Sequence, residues 1–214
     1  MIARNGYGII ITAFVIVLAL VVLYVVVPVM ILGILTLFMA VLAIFNLFFF
    51  RDPERNIPSG KNLILSPADG TVIKIDEIEE HEYFKTRVQR LSIFLSVFNV
   101  HINRIPVSGT IDFYRYKKGK FVAAFDHKAS EENEQSIIGI DSHGKHILFA
   151  LIAGVIARRI ITTVKAGDQV IAGERCGLIR YGSRVDMYFP PNVNIRVRLK
   201  DKVKGGETII GEFN

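Results

Sequence analysis

The 214-residue sequence contains a single cysteine, Cys176. One cysteine excludes an intramolecular disulfide and a multi-cysteine metal site, and it is compatible with a reducing compartment. The histidines His127, His143 and His146 do not form the helical HExxH spacing of a zinc site, so no metal is predicted. We expect Cys176 to be a core residue rather than a nucleophile.

Charge is absent from the whole stretch between Gly8 and Phe50, although the chain carries a formal net charge of +6. This run is about twice the ~20 residues needed for one membrane span. It is too long for the apolar core of a signal peptide, which is about 7–15 residues. Pro28 divides it into Gly8–Val27 and Val29–Phe50. The sequence therefore predicts that residues 1–50 form a membrane-anchoring hairpin of two helices.

The charges flanking this hairpin predict its orientation. Arg4 precedes it, Arg51 and Arg55 follow it, and no charge lies between its halves. Both outer ends, and the domain at 51–214, are therefore expected on the cytoplasmic side of the cell membrane. The turn at residues 25–30 has almost no polar group, so a hairpin that enters the bilayer without crossing it remains an alternative. The basic balance fits anionic lipid, and nucleic acid is not a predicted partner.

After residue 50, short β-branched and aromatic runs alternate with turns that contain glycine or proline. This pattern predicts a mainly β (α+β) domain with few helices. Residues 164–174 and 203–212 resemble each other, since each has glycines on both sides of a short apolar strand. With the turn at residues 69–72, they resemble the barrel-sandwich hybrid of biotinyl and lipoyl carriers. The principal strands are predicted at Leu63–Leu65, Thr71–Ile75, Val107–Tyr116 and Ile147–Ile156, with one or two more strands within Val88–Val100.

Three positions could carry chemistry. Gly182 is followed by Ser183, whose hydroxyl is a weak nucleophile unless a base takes its proton. A glycine leaves its carbonyl group sterically open. Asp69 lies in a turn, where an aspartate usually bonds to nearby backbone, and His101 lies at the end of an apolar run. Taken singly, Gly182-Ser183 and Asp69 are each typical of a turn, and His101 is typical of a structural histidine.

Their joint order is more specific. Four motifs follow one another as in one enzyme family: Phe50-Arg51-Asp52-Pro53-Glu54-Arg55, Ser66-Pro67-Ala68-Asp69-Gly70, Val100-His101-Ile102-Asn103-Arg104 and Tyr181-Gly182-Ser183-Arg184-Val185-Asp186. The sequence resembles the phosphatidylserine decarboxylases, in particular their short prokaryotic branch. Residues 129–134 and 157–160 also resemble that branch, and the resemblance covers essentially everything after residue 49.

This resemblance implies a proenzyme. Ser183 would attack the carbonyl group of Gly182, and cleavage would leave a β chain, 1–182, and an α chain, 183–214, as a heterodimer. Ser183 would become a pyruvoyl group that forms a Schiff base with phosphatidylserine and releases CO2 and phosphatidylethanolamine. Neither pyridoxal phosphate nor a metal is implied, and association into homo-oligomers is left open.

The resemblance also implies roles for the other site residues. Asp69 would assist the serine, and His101 would act as an acid or base. Arg104 stands where longer members have a second histidine, and Asn99 stands where an acidic residue is often found. Arg104 is therefore a candidate for substrate binding, and the division of labour with Asp69 and His101 stays open.

Two other functions remain alternatives. Archaetidylserine, an ether lipid with the same head group, would undergo the same chemistry. A membrane-anchored adaptor with no enzymatic activity would keep an intact chain and would leave Asp69, His101 and Ser183 without a purpose. Arg51 and Arg55 could contact the phosphate or carboxylate of the lipid, or they could be solvated surface charges.

Overall fold

The computed structural model describes residues 1–119, 132–154, 159–180 and 182–214. The chain divides into two compact units, Met1–Glu54 and Arg55–Asn214. The motif residues 129–131 and 157–158, as well as Tyr181, lie outside the described residues.

The first unit is the predicted pair of apolar helices. A 3-10 turn at Arg4–Gly6 leads into α1, Tyr7–Val26, and α2 spans Met30–Phe49. The break lies at Pro28 because a proline disfavours helical geometry in the residue before it. Each helix has 20 residues, which at 1.5 Å per residue is about the thickness of the hydrocarbon layer. Both are long and apolar enough to cross a membrane.

Backbone hydrogen bonds join the two outer ends of this hairpin. The amide of Ala3 donates to the carbonyl of Phe50 at 2.8 Å, and the amide of Asp52 donates to the carbonyl of Met1 at 2.7 Å. Arg51 donates to the carbonyl of Phe48 at 2.8 Å and lies 3.9 Å from the Phe48 ring centroid. The chain therefore enters and leaves the helical pair at one end.

The second unit is built from short strands, as predicted. The described residues form β1 Leu63–Leu65, β2 Gly70–Glu80, β3 Thr86–Leu95, β4 Ile102–Arg104, β5 Gly109–Lys117, β6 Gln135–Ser142, β7 Lys145–Ala153, β8 Ile160–Thr162, β9 Gln169–Val170, β10 Arg175–Ile179, β11 Ser183–Phe189, β12 Val193–Ile195, β13 Lys202–Val203 and β14 Ile209–Phe213. The mainly β fold is confirmed.

Three antiparallel sheets arrange these strands. The largest has the order β13-β2-β3-β11-β7-β6-β5-β9, and two small sheets have the orders β1-β14-β12 and β4-β10-β8. The large sheet curls, so that Tyr83, between β2 and β3, lies against β5, where its hydroxyl donates to Asp112 at 2.7 Å. β11 lies inside this sheet, hydrogen-bonded to β3 on one side and to β7 on the other.

Both faces of β11 are buried. Alternate side chains of a strand point to opposite faces, and Val185, Met187 and Phe189 belong to the main apolar core. Arg184 and Asp186 point to the other face and are buried as well. An apolar core on one face and a buried ion pair on the other therefore hold the strand that begins at Ser183.

Of the one or two strands predicted within Val88–Val100, the structure has one, β3, which ends at Leu95. Asn99 closes a turn there, because its side-chain oxygen accepts hydrogen bonds from the amide and the hydroxyl of Ser96 at 2.9 and 2.8 Å. This local bonding competes with continuation of the strand. The turn changes the direction of the chain just before His101.

The two similar glycine-containing turns pack near each other. Gly173 and Gly206 both have positive φ, at 86° and 77°. A Cβ atom on Gly206 would lie 3.6 Å from the Cα of Gly173 and 2.8 Å from the Cδ of Arg104. The turns thus need glycine both for their backbone angles and for their close packing.

Candidate active site

Ser183 is the first residue of β11 and is fully buried. It is paired with Leu95 on one side and with Ala153 on the other. Its Oγ has no hydrogen-bond partner among the described residues. Leaving a buried hydroxyl unpaired costs about 1–3 kcal/mol, so such a group in a native fold calls for an explanation.

Gly182 holds the chain in a left-handed turn immediately before this serine. Its φ is 77°, which an L-residue with a side chain adopts only at a cost. Among the described residues the space beside it is open, since a Cβ atom there would meet only Val97 Cγ1 of these, at 4.0 Å. The glycine is therefore required by backbone geometry rather than by crowding.

His101 is buried next to this turn. Its Nδ1 lies 3.0 Å from the carbonyl oxygen of Asn99, and the amide of Gly182 lies 3.4 Å from its Nε2. A carbonyl oxygen can only accept, so Nδ1 carries the proton of the neutral ring. Nε2 then carries the lone pair and accepts from the amide N–H of Gly182, the residue that precedes Ser183.

Asp69 has a different set of neighbours. Its carboxylate accepts two hydrogen bonds of 2.9 Å from Arg55 and one of 2.8 Å from the amide of Gly205. The Arg55 side chain is only 7% exposed and also lies 3.6 Å from Glu207. Arg55 is therefore not a solvated surface charge, and its pairing with Asp69 was not foreseen from the sequence.

A cleft connects Asp69 to the histidine indirectly. It has a volume of about 330 Å³, and Asp69, Ser96 and Asn99 contribute to its wall. Asn99 is also the residue whose carbonyl oxygen orients His101. Asp69 and His101 are thus joined through the turn at Ser96–Asn99.

Arg104 is buried beneath the two glycine turns. Its Nη1 donates to the carbonyl of Gly173 at 2.7 Å, and its amide donates to the carbonyl of Pro67 at 2.8 Å. The guanidinium therefore ties β4 to the turn before β10.

A second buried ion pair follows Ser183 directly. Arg184 Nη2 donates to Asp186 Oδ2 at 3.0 Å, and both side chains lie on the face of β11 opposite Ser183. Sequence reasoning gave these residues no role. Their opposite charges two positions apart on a strand were an available signal, because residues i and i+2 share a face.

Cys176 is a core residue, as predicted. It is fully buried, and burial raises the pKa of its thiol to about 12. A thiol that stays protonated near neutral pH is a poor nucleophile. Among the described residues, the buried serine is thus the better candidate for covalent chemistry.

A buried serine, a left-handed glycine before it and a histidine nitrogen that faces the amide of this glycine thus lie together at the start of β11. The family model for phosphatidylserine decarboxylase matches residues 42–211. This chain belongs to the phosphatidylserine decarboxylase family.

Curated relatives support the same assignment, and each carries the name phosphatidylserine decarboxylase proenzyme. The protein from Wolbachia sp. subsp. Brugia malayi (strain TRS) is 50% identical over 172 residues, which cover 78% of this chain and 75% of the relative. The protein from Chlorobium phaeobacteroides is 46% identical over 174 residues, with 81% and 82% covered. The protein from Geobacter metallireducens is 44% identical over 178 residues, with 83% and 81% covered.

Proposed function

We propose that this chain is a membrane-attached phosphatidylserine decarboxylase that activates itself by cleavage between Gly182 and Ser183. The observation that carries the proposal is the buried, unpaired Ser183 hydroxyl next to a glycine whose amide faces His101 Nε2. Membership of a family whose curated relatives are named as proenzymes supports it. The two apolar helices support attachment to the membrane that holds the substrate.

In the maturation step, His101 Nε2 takes the proton of Ser183 Oγ as the oxygen attacks the carbonyl carbon of Gly182. The peptide C–N bond breaks, the nitrogen of residue 183 is protonated, and an ester joins Gly182 to the serine oxygen. Loss of the Cα proton of residue 183 then breaks its Cβ–O bond. Gly182 is left with a free carboxylate, and residue 183 becomes dehydroalanine. Addition of one water and loss of ammonia convert the latter to a pyruvoyl group.

The residues present fit this group. The Ser183 side chain is enclosed and without a hydrogen-bond partner among the described residues, and the volume beside Gly182 is open. When formed, the pyruvoyl group supplies a carbonyl that accepts the electrons released as CO2 leaves the substrate. His101 then lies where it can take a proton from the substrate amine and return one to the product. This requires neither pyridoxal phosphate nor a metal.

Asp69 and Arg55 have a supporting role in this proposal. Their paired charges, with the Gly205 amide, hold together the cleft wall that also contains Asn99. Asn99 in turn fixes the tautomer and orientation of His101. Asp69 thereby assists the histidine without needing to touch it.

Cleavage would leave the two products associated. β11 belongs to the α chain and is bonded on both sides to β3 and β7, which belong to the β chain. β14 of the α chain is likewise paired with β1 of the β chain. We therefore propose that the mature enzyme is a heterodimer of its own fragments.

Intact-mass analysis of the purified full chain tests the proposal. We expect fragments ending at Gly182 and beginning at a blocked residue 183, together with CO2 release from phosphatidylserine. Ser183→Ala should abolish both. Ser92→Ala is the matched control and should mature normally. Ser92 lies on the neighbouring β3, is also fully buried, and has no hydrogen-bond partner for its hydroxyl in the described part of the chain. A wild-type chain that remains at 24.0 kDa with an intact serine would contradict the proposal and favour the adaptor.

A further inference from the structure

The cleft beside Asp69 is also lined by two lysines. Lys202 and Lys204 contribute to its wall together with Thr71. Both lysines are exposed and lie on or next to β13, at the edge of the large sheet.

The charge in this cleft is positive. Lys202 has no ion pair among the described residues. The Nζ of Lys204 forms a long ion pair with the carboxylate of Glu207, at 3.7 Å. The acidic residue of the cleft, Asp69, is already bonded to Arg55 and to the Gly205 amide. The lysines are therefore available for an anionic ligand, and a phosphate is a favourable partner for an ammonium group.

The cleft reaches the strand end at which Ser183 lies. Ser96, in the wall of the cleft, follows Leu95, the residue paired with Ser183. Lys202 is on a strand farther along the same sheet, since it is paired with Thr71, Thr71 with Phe94, and Phe94 with Arg184. A head group bound in this cleft would therefore have the lysines at one end and the start of β11 at the other.

We propose that Lys202 and Lys204 bind the phosphodiester of the substrate and so direct its amine toward residue 183. This assignment rests on the proposed function. It makes the cleft the head-group site, with the phosphate held at the β13 end and the reacting amine at the β11 end. The lysines bind substrate and take no part in bond breaking.

Steady-state kinetics of the full chain in nonionic mixed micelles containing phosphatidylserine provide the test. Lys202→Gln combined with Lys204→Gln should raise KM at least about tenfold, since a hydrogen bond to a charged group is lost at each position, and kcat should change less than twofold. Lys202→Arg combined with Lys204→Arg should restore most of the affinity. Lys200→Gln is the matched control, because Lys200 is exposed on the same segment but does not line the cleft; its KM should change less than twofold.

Glycerophosphoserine, which has the head group without acyl chains, separates site binding from general attraction to an anionic surface. It should inhibit the wild type competitively and lose at least about tenfold in potency against the double glutamine variant. Equal KM effects of Lys200→Gln, or recovery of the variant on adding phosphatidylglycerol, would overturn the assignment in favour of surface attraction. Normal cleavage of the variants by mass would show that such a failure concerns the lysines. An uncleaved wild type would instead overturn the proposed function and this assignment with it.

Discussion

The amide nitrogen of Gly182 lies 3.4 Å from Nε2 of His101, while Nδ1 of the same ring faces the carbonyl oxygen of Asn99 at 3.0 Å. The ring is therefore held with its basic nitrogen facing the amide of Gly182, the residue that precedes Ser183. Because the group that orients it is a backbone carbonyl, no single side-chain substitution removes this hydrogen bond. The histidine itself is the residue to test.

Replacing His101 with glutamine should slow cleavage at Gly182–Ser183 by about 10²–10⁴-fold, the usual contribution of a general base. The time course of fragment formation after synthesis measures this effect, and CO2 release per cleaved chain measures the effect on turnover. His146→Gln is the control, since His146 is 43% exposed and contacts Asp112. Unchanged rates in the His101 variant would remove the histidine from the mechanism.

Gly182→Ala should slow cleavage at least tenfold, although the new methyl group has room. Its φ of 77° would cost an alanine about 1–2 kcal/mol, and relaxation would turn the carbonyl away from Ser183. Gly167→Ala is a matched control, because Gly167 has a φ of 93° and open space around its Cα. Both variants should lose similar thermal stability, and equal cleavage rates would show that the angle at Gly182 is unimportant for the reaction.

Arg104→Met tests whether the buried guanidinium supports the fold or binds substrate. Loss of its hydrogen bond to the Gly173 carbonyl should lower the free energy of unfolding by about 1–3 kcal/mol, measured by urea denaturation in micelles. Arg87→Met removes only an exposed ion pair with Glu77 and should cost about 0–1 kcal/mol. Unchanged stability with a raised KM would instead support the substrate-binding role suggested by the family resemblance.

Asp76 contributes a pH-dependent stability. Burial alone would raise the pKa of Asp76, but its hydrogen bonds and charge interactions with Arg90 and Lys74 outweigh burial and lower it. The contribution is present above the unfolded-state pKa, ~3.9, and is lost as pH falls through the lower folded-state pKa.

Asp76→Asn should therefore be less stable than the wild type at pH 7, with a difference that shrinks in strongly acidic solution. Urea midpoints between pH 7 and pH 2.5 measure this. Glu77→Gln, on the same strand, is the control, because its carboxylate is 55% exposed and should give a small difference at every pH. A constant deficit for the Asp76 variant would assign the effect to packing.

The elements that follow from local pattern were predictable from the sequence. The helix break at Pro28 and the strand at Leu63–Leu65 match their predicted positions, because the proline ring and the turn residues act on their immediate neighbours. The mainly β character was also predictable, from the short β-branched and aromatic runs between turns. Predicted strand ends were less accurate, as at Val88–Val100, since the side-chain oxygen of Asn99 bonds to Ser96 and ends β3 early.

Long-range pairing was not predictable in this way. Arg55 and Asp69 lie 14 positions apart, and no periodic pattern links a linker arginine to a turn aspartate. The place of β11 between β3 and β7 is equally a property of the assembled sheet. The family resemblance identified Ser183, His101 and Asp69 as a group, but it did not indicate that Asp69 is held by Arg55.

The central position of β11 has a consequence for reversibility. Before a cut at Gly182–Ser183, this strand enters the sheet as part of one chain, and closing the loop costs only chain entropy. After the cut, the same strand would have to find its place as a separate short peptide, at a cost that depends on concentration. An enzyme denatured after maturation should therefore not regain activity on dilution of the denaturant, whereas the uncleaved Ser183→Ala chain should refold. The order of events is then obligatory: the precursor folds, and the mature protein retains a structure that it cannot readily form again.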